Sequence, residues 1–222
     1  MRGILWSLVI GILLSGGVSM PAAAALVTYK FAGTINGVPP DLAGKFSTGQ
    51  SFSGFYSFDP ATAPRAGGNG HQQIFDALAS FSFTLGGVNA ASNSASELQI
   101  DHQPGVMSDR YFLVTRAHQG LTATGLSSGF SLNLFSLRLD RNAGSLFKTA
   151  STLPVDVSLA DFDSDAIYIF LDAPAGGLDI IGGTLTSFGP ANAVVPAPAS
   201  LALFGVALAA IGLVRGRLRK GA

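Results

Sequence analysis

Apolar residues in this chain recur at every second position, in short bursts divided by turn residues, and that rhythm decides the fold class. Val27-Tyr29-Phe31, Phe52-Gly54-Tyr56-Phe58, Phe81-Phe83-Leu85 and Phe130-Leu132-Leu134 all follow it. Period two sends alternate side chains to one face of a strand, so each burst supplies one side of a core. Asn36-Gly37, Asp59-Pro60, Gly67-Gly68-Asn69-Gly70, Gly86-Gly87 and Gly182-Gly183 stand between or beside them as turn signals. Further strands are expected at 98–102, 111–116, 121–126, 137–140, 167–171 and 178–181, with one short helical turn within 154–162. No long stretch has helical periodicity. The expected fold is all-β, a single antiparallel β-sandwich domain with a jelly-roll-like arrangement among its forms, rather than a parallel α/β sheet. Residues 60–69 read as a mobile loop.

The two ends carry a different kind of information. Arg2, an apolar run over 4–14 and the small residues Ala23-Ala24-Ala25 form the three parts of a secretory signal peptide, with cleavage expected at Ala23 to Ala25. An apolar core of about eleven residues is too short to serve comfortably as a membrane anchor. At the other end, 199–214 is an uncharged run of sixteen residues. As a helix it would be about 24 Å long, a marginal span for a hydrocarbon core of about 30 Å. Arg215, Arg217, Arg219 and Lys220 follow at once. Positive charge beside an apolar segment favours the cytoplasmic face, which places this tail inside and the rest of the chain outside.

Removing both ends changes the charge balance. Five of the thirteen basic residues lie in the terminal segments, whereas all thirteen acids lie between 26 and 198. Eight bases against thirteen acids leave −5 on the central region. With no basic stripe to neutralise phosphates, nucleic acid is not an expected partner. There is no cysteine, so an exported domain of this kind must rest on its apolar core alone.

Val195-Pro196-Ala197-Pro198-Ala199-Ser200-Leu201, the Ala/Leu/Gly-rich span and the Arg-rich end closely resemble the PEP-CTERM sorting signal of Gram-negative bacteria. The resemblance covers about the last 27 residues, and here Pro-Ala-Pro stands where the family's motif has Pro-Glu-Pro. It implies recognition and processing by an exosortase-type membrane enzyme, followed by display on the cell surface or in the extracellular matrix. It also implies an association with exopolysaccharide and biofilm. Physically, two prolines separated by one residue hold a short extended segment outside the helix, accessible at the outer face of the membrane. An ordinary single-span anchor with a stiff linker would need no processing; the resemblance favours processing. The resulting partition is a signal peptide over 1–25, an exported domain over 26–189, a linker with the motif over 190–198, a transmembrane helix over 199–214 and a basic cytoplasmic tail over 215–222.

Chemical motifs in the middle of the chain are weak. Gly125-Leu126-Ser127-Ser128-Gly129 fits the G-x-S-x-G pattern, but a nucleophile elbow needs a helix after it, and 130–140 alternates like a strand; a Gly/Ser hairpin is expected instead. Asp161, Asp163 and Asp165 alternate as in the start of a calcium loop, yet Ala166 occupies the position that wants glycine. A solvated turn is the simpler expectation, with a calcium site at a sheet edge as the alternative. His71, His102 and His118 lack zinc spacing, and no phosphate-binding loop is present. Tyr29, Tyr56, Tyr111 and Tyr168 could stack on sugars but are expected in core or cross-strand packing, and Glu97 with Asp101 reads as two acids bounding a strand. The sequence therefore points to a non-catalytic exported protein of the surface or matrix. A carbohydrate-binding module, with calcium as an aid, is the alternative. A secreted hydrolase is third, and would require Ser127 within reach of a histidine.

Overall fold

The period-two bursts become eleven strands in a single antiparallel sheet. In chain order these are β1 (Val27–Gly37), β2 (Ser51–Phe58), β3 (Gln72–Phe75), β4 (Leu78–Leu85), β5 (Val88–Ser92) and β6 (Glu97–Gln103), followed by β7 (Ser108–Arg116), β8 (Thr122–Thr124), β9 (Ser131–Arg141), β10 (Ser164–Asp172) and β11 (Leu178–Pro190). The computed structural model describes residues 26–191, apart from 66–70, 94–95, 104–107, 143, 145 and 148–150. The signal sequence, the Pro-Ala-Pro motif, the apolar run and the basic tail lie outside the described residues.

The strand order is β3-β6-β7-β9-β10-β11-β1-β2-β4-β5-β8. This is a sandwich-like all-β fold made from one sheet curled over on itself. The strand that turns the corner is β11: its first half pairs with β10 as far as Ile167↔Gly183, and its second half pairs with β1 from Gly37↔Gly182 to Tyr29↔Pro190. Gly182-Gly183, expected as a turn, thus lies inside a strand. A side chain at Gly183 would meet the Thr34 carbonyl at 2.9 Å and Phe52 at 3.0 Å, so the close approach of β1 at this bend requires glycine. Asn36-Gly37 likewise ends β1 instead of forming a turn of its own.

Other boundaries move for local reasons. Gly86 and Gly87 have φ of 55° and 80° and join β4 to β5 with Leu85 opposite Val88, the two-residue hairpin whose twist suits paired strands. The two expected strands at 130–134 and 137–140 are one continuous strand, β9. The expected strand over 121–126 shortens to Thr122–Thr124. β3 and β5 carry no alternation strong enough to be expected, being respectively glutamine-rich and built of small residues. The helical turn expected within 154–162 is a 3-10 turn at Leu159–Asp161. Of the loop expected over 60–69, the described part is pinned: Asp59 accepts from the Ala61 amide at 2.8 Å, and the Arg65 amide donates to the Ile74 carbonyl at 2.6 Å.

The two halves of the curled sheet divide the core by residue type. β1, β2, β4 and the end of β11 send in rings: Tyr29, Phe31, Phe52, Tyr56, Phe58, Phe81, Phe83 and Phe188, all buried. β6, β7, β9 and β10 send in mainly branched aliphatics, among them Ile100, Leu113, Leu137, Leu139 and Ile167. Two rings from that second half reach across. Phe135 packs on Phe81 at 4.8 Å and Phe83 at 5.0 Å between centroids, and Tyr111 meets Phe188 edge-on at 5.8 Å. Tyr111 also joins its hydroxyl to that of Tyr56 at 2.8 Å in the buried interior. Packing is close: an apolar void between Phe46, Leu132 and Ile181 measures about 10 Å³, about one water's worth.

Candidate functional site

The sorting residues Val195, Pro196, Ala197, Pro198, Ala199 and Ser200, the basic cluster Arg215, Arg217, Arg219 and Lys220, and the cleavage residues Ala23 and Ala25 lie outside the described residues. Of the histidines inside them, His118 lies in the 3-10 turn Ala117–Gln119 before β8, and the His71 carbonyl accepts from the His102 amide at 2.7 Å.

Asp161, Asp163 and Asp165 do not converge. One oxygen of Asp161 accepts from the Ser158 amide at 2.6 Å and from its hydroxyl at 2.9 Å, as a capping box does. Asp163 accepts from the Asn142 amide at 2.7 Å. Asp165 accepts from the Leu185 amide just past the last β10–β11 pair, where the ladder can no longer supply a partner. Each carboxylate satisfies a different stretch of backbone, and among the described residues no three His, Asp or Glu side chains gather as a metal-holding group.

Ser127 lies in the connection from β8 to β9, where its carbonyl accepts from the Phe130 amide at 3.1 Å. β8 pairs with β5 and not with β9, so the connection is a crossing and not a hairpin. A strand follows it, with no helix. His102, which has a carboxylate partner, is far away. His102 sits opposite Asp109, which sits opposite Arg141 at the far end of β9, roughly 33 Å from the end that follows Ser127. His102 Nδ1 is 2.6 Å from Asp109 Oδ1, and the other oxygen of this buried carboxylate accepts from the amides of Leu146 and Phe147. This aspartate is a bracket, tying the segment after β9 to the β6–β7 hairpin.

Glu97 and Asp101 prove to be members of an arginine lattice on the outer face of β6, β7 and β9. Glu97 takes Arg116 at 2.8 Å and Arg65 at 3.2 Å, while Asp140 takes Arg138 at 2.6 Å and Arg110 at 2.8 Å. Partial burial pushes both carboxyls upward, but the guanidinium hydrogen bonds and charges outweigh it and hold Glu97 and Asp140 below the usual carboxylate range. Sequence reasoning missed the lattice because Glu97 meets Arg116 and Arg65, and Asp140 meets Arg110, across 19 to 32 residues of chain, brought together only by the fold.

Of the four tyrosines, three are in the core as expected. Burial above all pushes the hydroxyls of Tyr29, Tyr56 and Tyr111 above the usual phenol range. Tyr168 instead faces outward and is 40% exposed, its ring 6.3 Å from that of Phe170. With Phe170, Leu178 and Ile180 it forms an apolar strip on β10 and β11, open beside Tyr168 because its cross-strand neighbour is Gly182.

The other half of the sheet presents a polar face with a concavity. An open trough of about 460 Å³ lies over Lys30, Ala32, Ser53, Phe55, Ser82 and Thr84. Its low floor follows from the small side chains of Ala32 and Ser53, and Phe55, 44% exposed, stands opposite Lys30 on the neighbouring strand. No family model, curated protein or solved structure matches the chain.

Proposed function

We propose that the chain is an exported, non-catalytic protein of the cell surface or extracellular matrix of a Gram-negative bacterium, delivered by a PEP-CTERM-type signal. The observation that carries the reading is the order of parts at its end: Pro196-Ala197-Pro198, the uncharged run over 199–214, then Arg215, Arg217, Arg219 and Lys220, with a signal peptide over 1–25 at the other end. In this reading an exosortase-type enzyme acts at the extended proline segment while the apolar run sits in the membrane. The domain ahead of the tail suits exposure outside the cell. It rests on a close-packed aromatic core with no disulfide to lose, and Arg65, Arg110, Arg116 and Arg138 are paired with carboxylates. The strand that follows Ser127, where a nucleophile elbow needs a helix, favours a structural or adhesive role over the hydrolase reading.

A second reading, a carbohydrate-binding module, is favoured by one specific observation, the exposed ring and lone lysine of the outer trough. Asp161, Asp163 and Asp165 each hold a backbone amide, so this reading is proposed on the trough and not on a calcium site.

The test of delivery is expression of the full chain in a host with an exosortase and in the same host lacking it, reading intact mass and membrane fractionation. Loss of the tail beyond the proline segment only in the first host supports sorting. A tail retained in both makes 199–214 a plain anchor.

A further inference from the structure

The charges of this domain are segregated in a way that singles out one face. β1, β2, β4, β5 and β8 contain no acidic residue, and Lys30 is their only charged one. β6, β7, β9 and β10 carry acids on every strand. Among the described residues Arg65, Arg110, Arg116 and Arg138 are all in ion pairs. Lys45 and Arg141 donate to the carbonyls of Gly125 and Asp161. Lys30 is exposed and forms no ion pair with any described carboxylate. A domain whose thirteen acids outnumber its eight bases thus keeps an unpaired cation on strands free of acids, and it does so at the rim of their trough.

The rest of the trough is suited to sugars. Ser187, Ala32, Ser53, Thr84, Asn89 and Thr124 form a register row across six strands, spanning about 24 Å at the usual interstrand spacing. The parallel row beside it runs Lys30, Phe55, Ser82, Ala91 and Thr122. Within these rows Ser53, Thr84 and Ser82 bring three hydroxyls together on β2 and β4 beside Phe55. Phe55 supplies a flat ring whose negative face attracts the axial C–H edge of a pyranose. The trough volume lies in the range of sites for extended small ligands.

We propose that this trough binds an anionic polysaccharide, with Phe55 stacking on one ring, Lys30 pairing with the carboxylate of a uronic acid, and Ser53, Ser82 and Thr84 hydrogen-bonding ring hydroxyls. The proposal deepens the surface and matrix reading by naming a partner class, and rests on it for the polymer to be within reach. Its test does not depend on export, so failure of binding and failure of sorting are separate results.

Full chain in detergent is titrated calorimetrically with oligogalacturonate and with its methyl ester, which keeps the rings and removes the charge. The expected result is saturable binding of both, tighter for the acid. Phe55→Ala weakens both by about tenfold, the loss of one good contact. Lys30→Gln weakens the acid alone and brings it level with the ester, and added salt does the same to the unmodified chain. Tyr168→Ala, on the other exposed aromatic strip, changes neither. All three side chains face solvent, and unchanged unfolding midpoints confirm that the variants fold. No saturable binding, loss on Tyr168→Ala in place of Phe55→Ala, or equal loss of acid and ester on Lys30→Gln each overturns the proposal.

Discussion

At the residue scale, two buried polar contacts decide how specific the core is. The Tyr56 and Tyr111 hydroxyls meet at 2.8 Å inside a cluster of rings and leucines, so each is the other's escape from an unmade hydrogen bond. Tyr56→Phe strands the Tyr111 hydroxyl, and an expected loss of about 1–3 kcal/mol follows from leaving a buried polar group unpaired. Tyr56→Phe with Tyr111→Phe removes both partners and should recover much of that loss, read from urea unfolding of the four members of the cycle. Asp165 makes the comparable contact at the sheet corner, taking the Leu185 amide that β10 no longer reaches. Asp165→Ala should lower the unfolding midpoint with or without calcium, and millimolar calcium should leave the midpoint of the unmodified chain unchanged. A calcium-dependent midpoint that vanishes in Asp165→Ala would restore the metal reading of the three aspartates.

At the element scale, β11 holds the architecture together, and glycine is what lets it do so. Facing it, Gly33 lies at a register shift in β1, where an added Cβ would stand 2.0 Å from the Thr184 carbonyl and 2.4 Å from Phe52. The Thr184 carbonyl is backbone in the ladder and cannot retreat without opening the β1–β11 pairing. Gly33→Ala should therefore cost about 3 kcal/mol, at the upper end for overpacking. Gly37→Ala, whose Cβ would come no closer than 3.9 Å to the nearest atom, should cost little by the same thermal assay. These two glycines look alike in the sequence, and that marks where legibility ended. Val27-Tyr29-Phe31 and Phe81-Phe83-Leu85 announced their strands because alternation is local. Gly182-Gly183 was read as a turn because local rules cannot distinguish a chain reversal from a bend where one strand changes partners. β3 stayed hidden because its pairing with β6 comes from tertiary contact and not from its glutamines. The candidate trough was half legible. The absence of acids from the segments 27–37, 51–58 and 78–92 was in the sequence. That these segments lie side by side, with Lys30 opposite Phe55, needed the strand order.

At the scale of the whole molecule, the sheet has a hydroxyl-rich face and a charged face, and they should answer differently to solution conditions. The charged face stabilises the fold through Glu97 and Asp140, whose carboxyls the arginines hold below the usual range. A carboxyl with a folded pKa lower than its unfolded one contributes stability that is present above the unfolded value, about 4, and is lost as pH falls through the folded value. The unfolding midpoint should accordingly be level from about pH 5 to 8 as far as these groups are concerned, and decline below about 4. Glu97→Gln with Asp140→Asn should lower the midpoint at neutral pH and flatten that acid decline, because the protons the pair resisted no longer have a site. High salt should mimic part of the neutral-pH loss, since the arginines are partly exposed and their attraction is screened. The hydroxyl face has no comparable titration, so binding in its trough should follow the ionisation of the ligand alone. Affinity for a polyuronate should fall as its carboxyls protonate, at pH values where affinity for the methyl ester stays level and far-ultraviolet dichroism shows the sheet intact. If instead affinity for the ester falls in step with that for the acid, the pH dependence belongs to the protein, and the division of labour between the two faces is wrong.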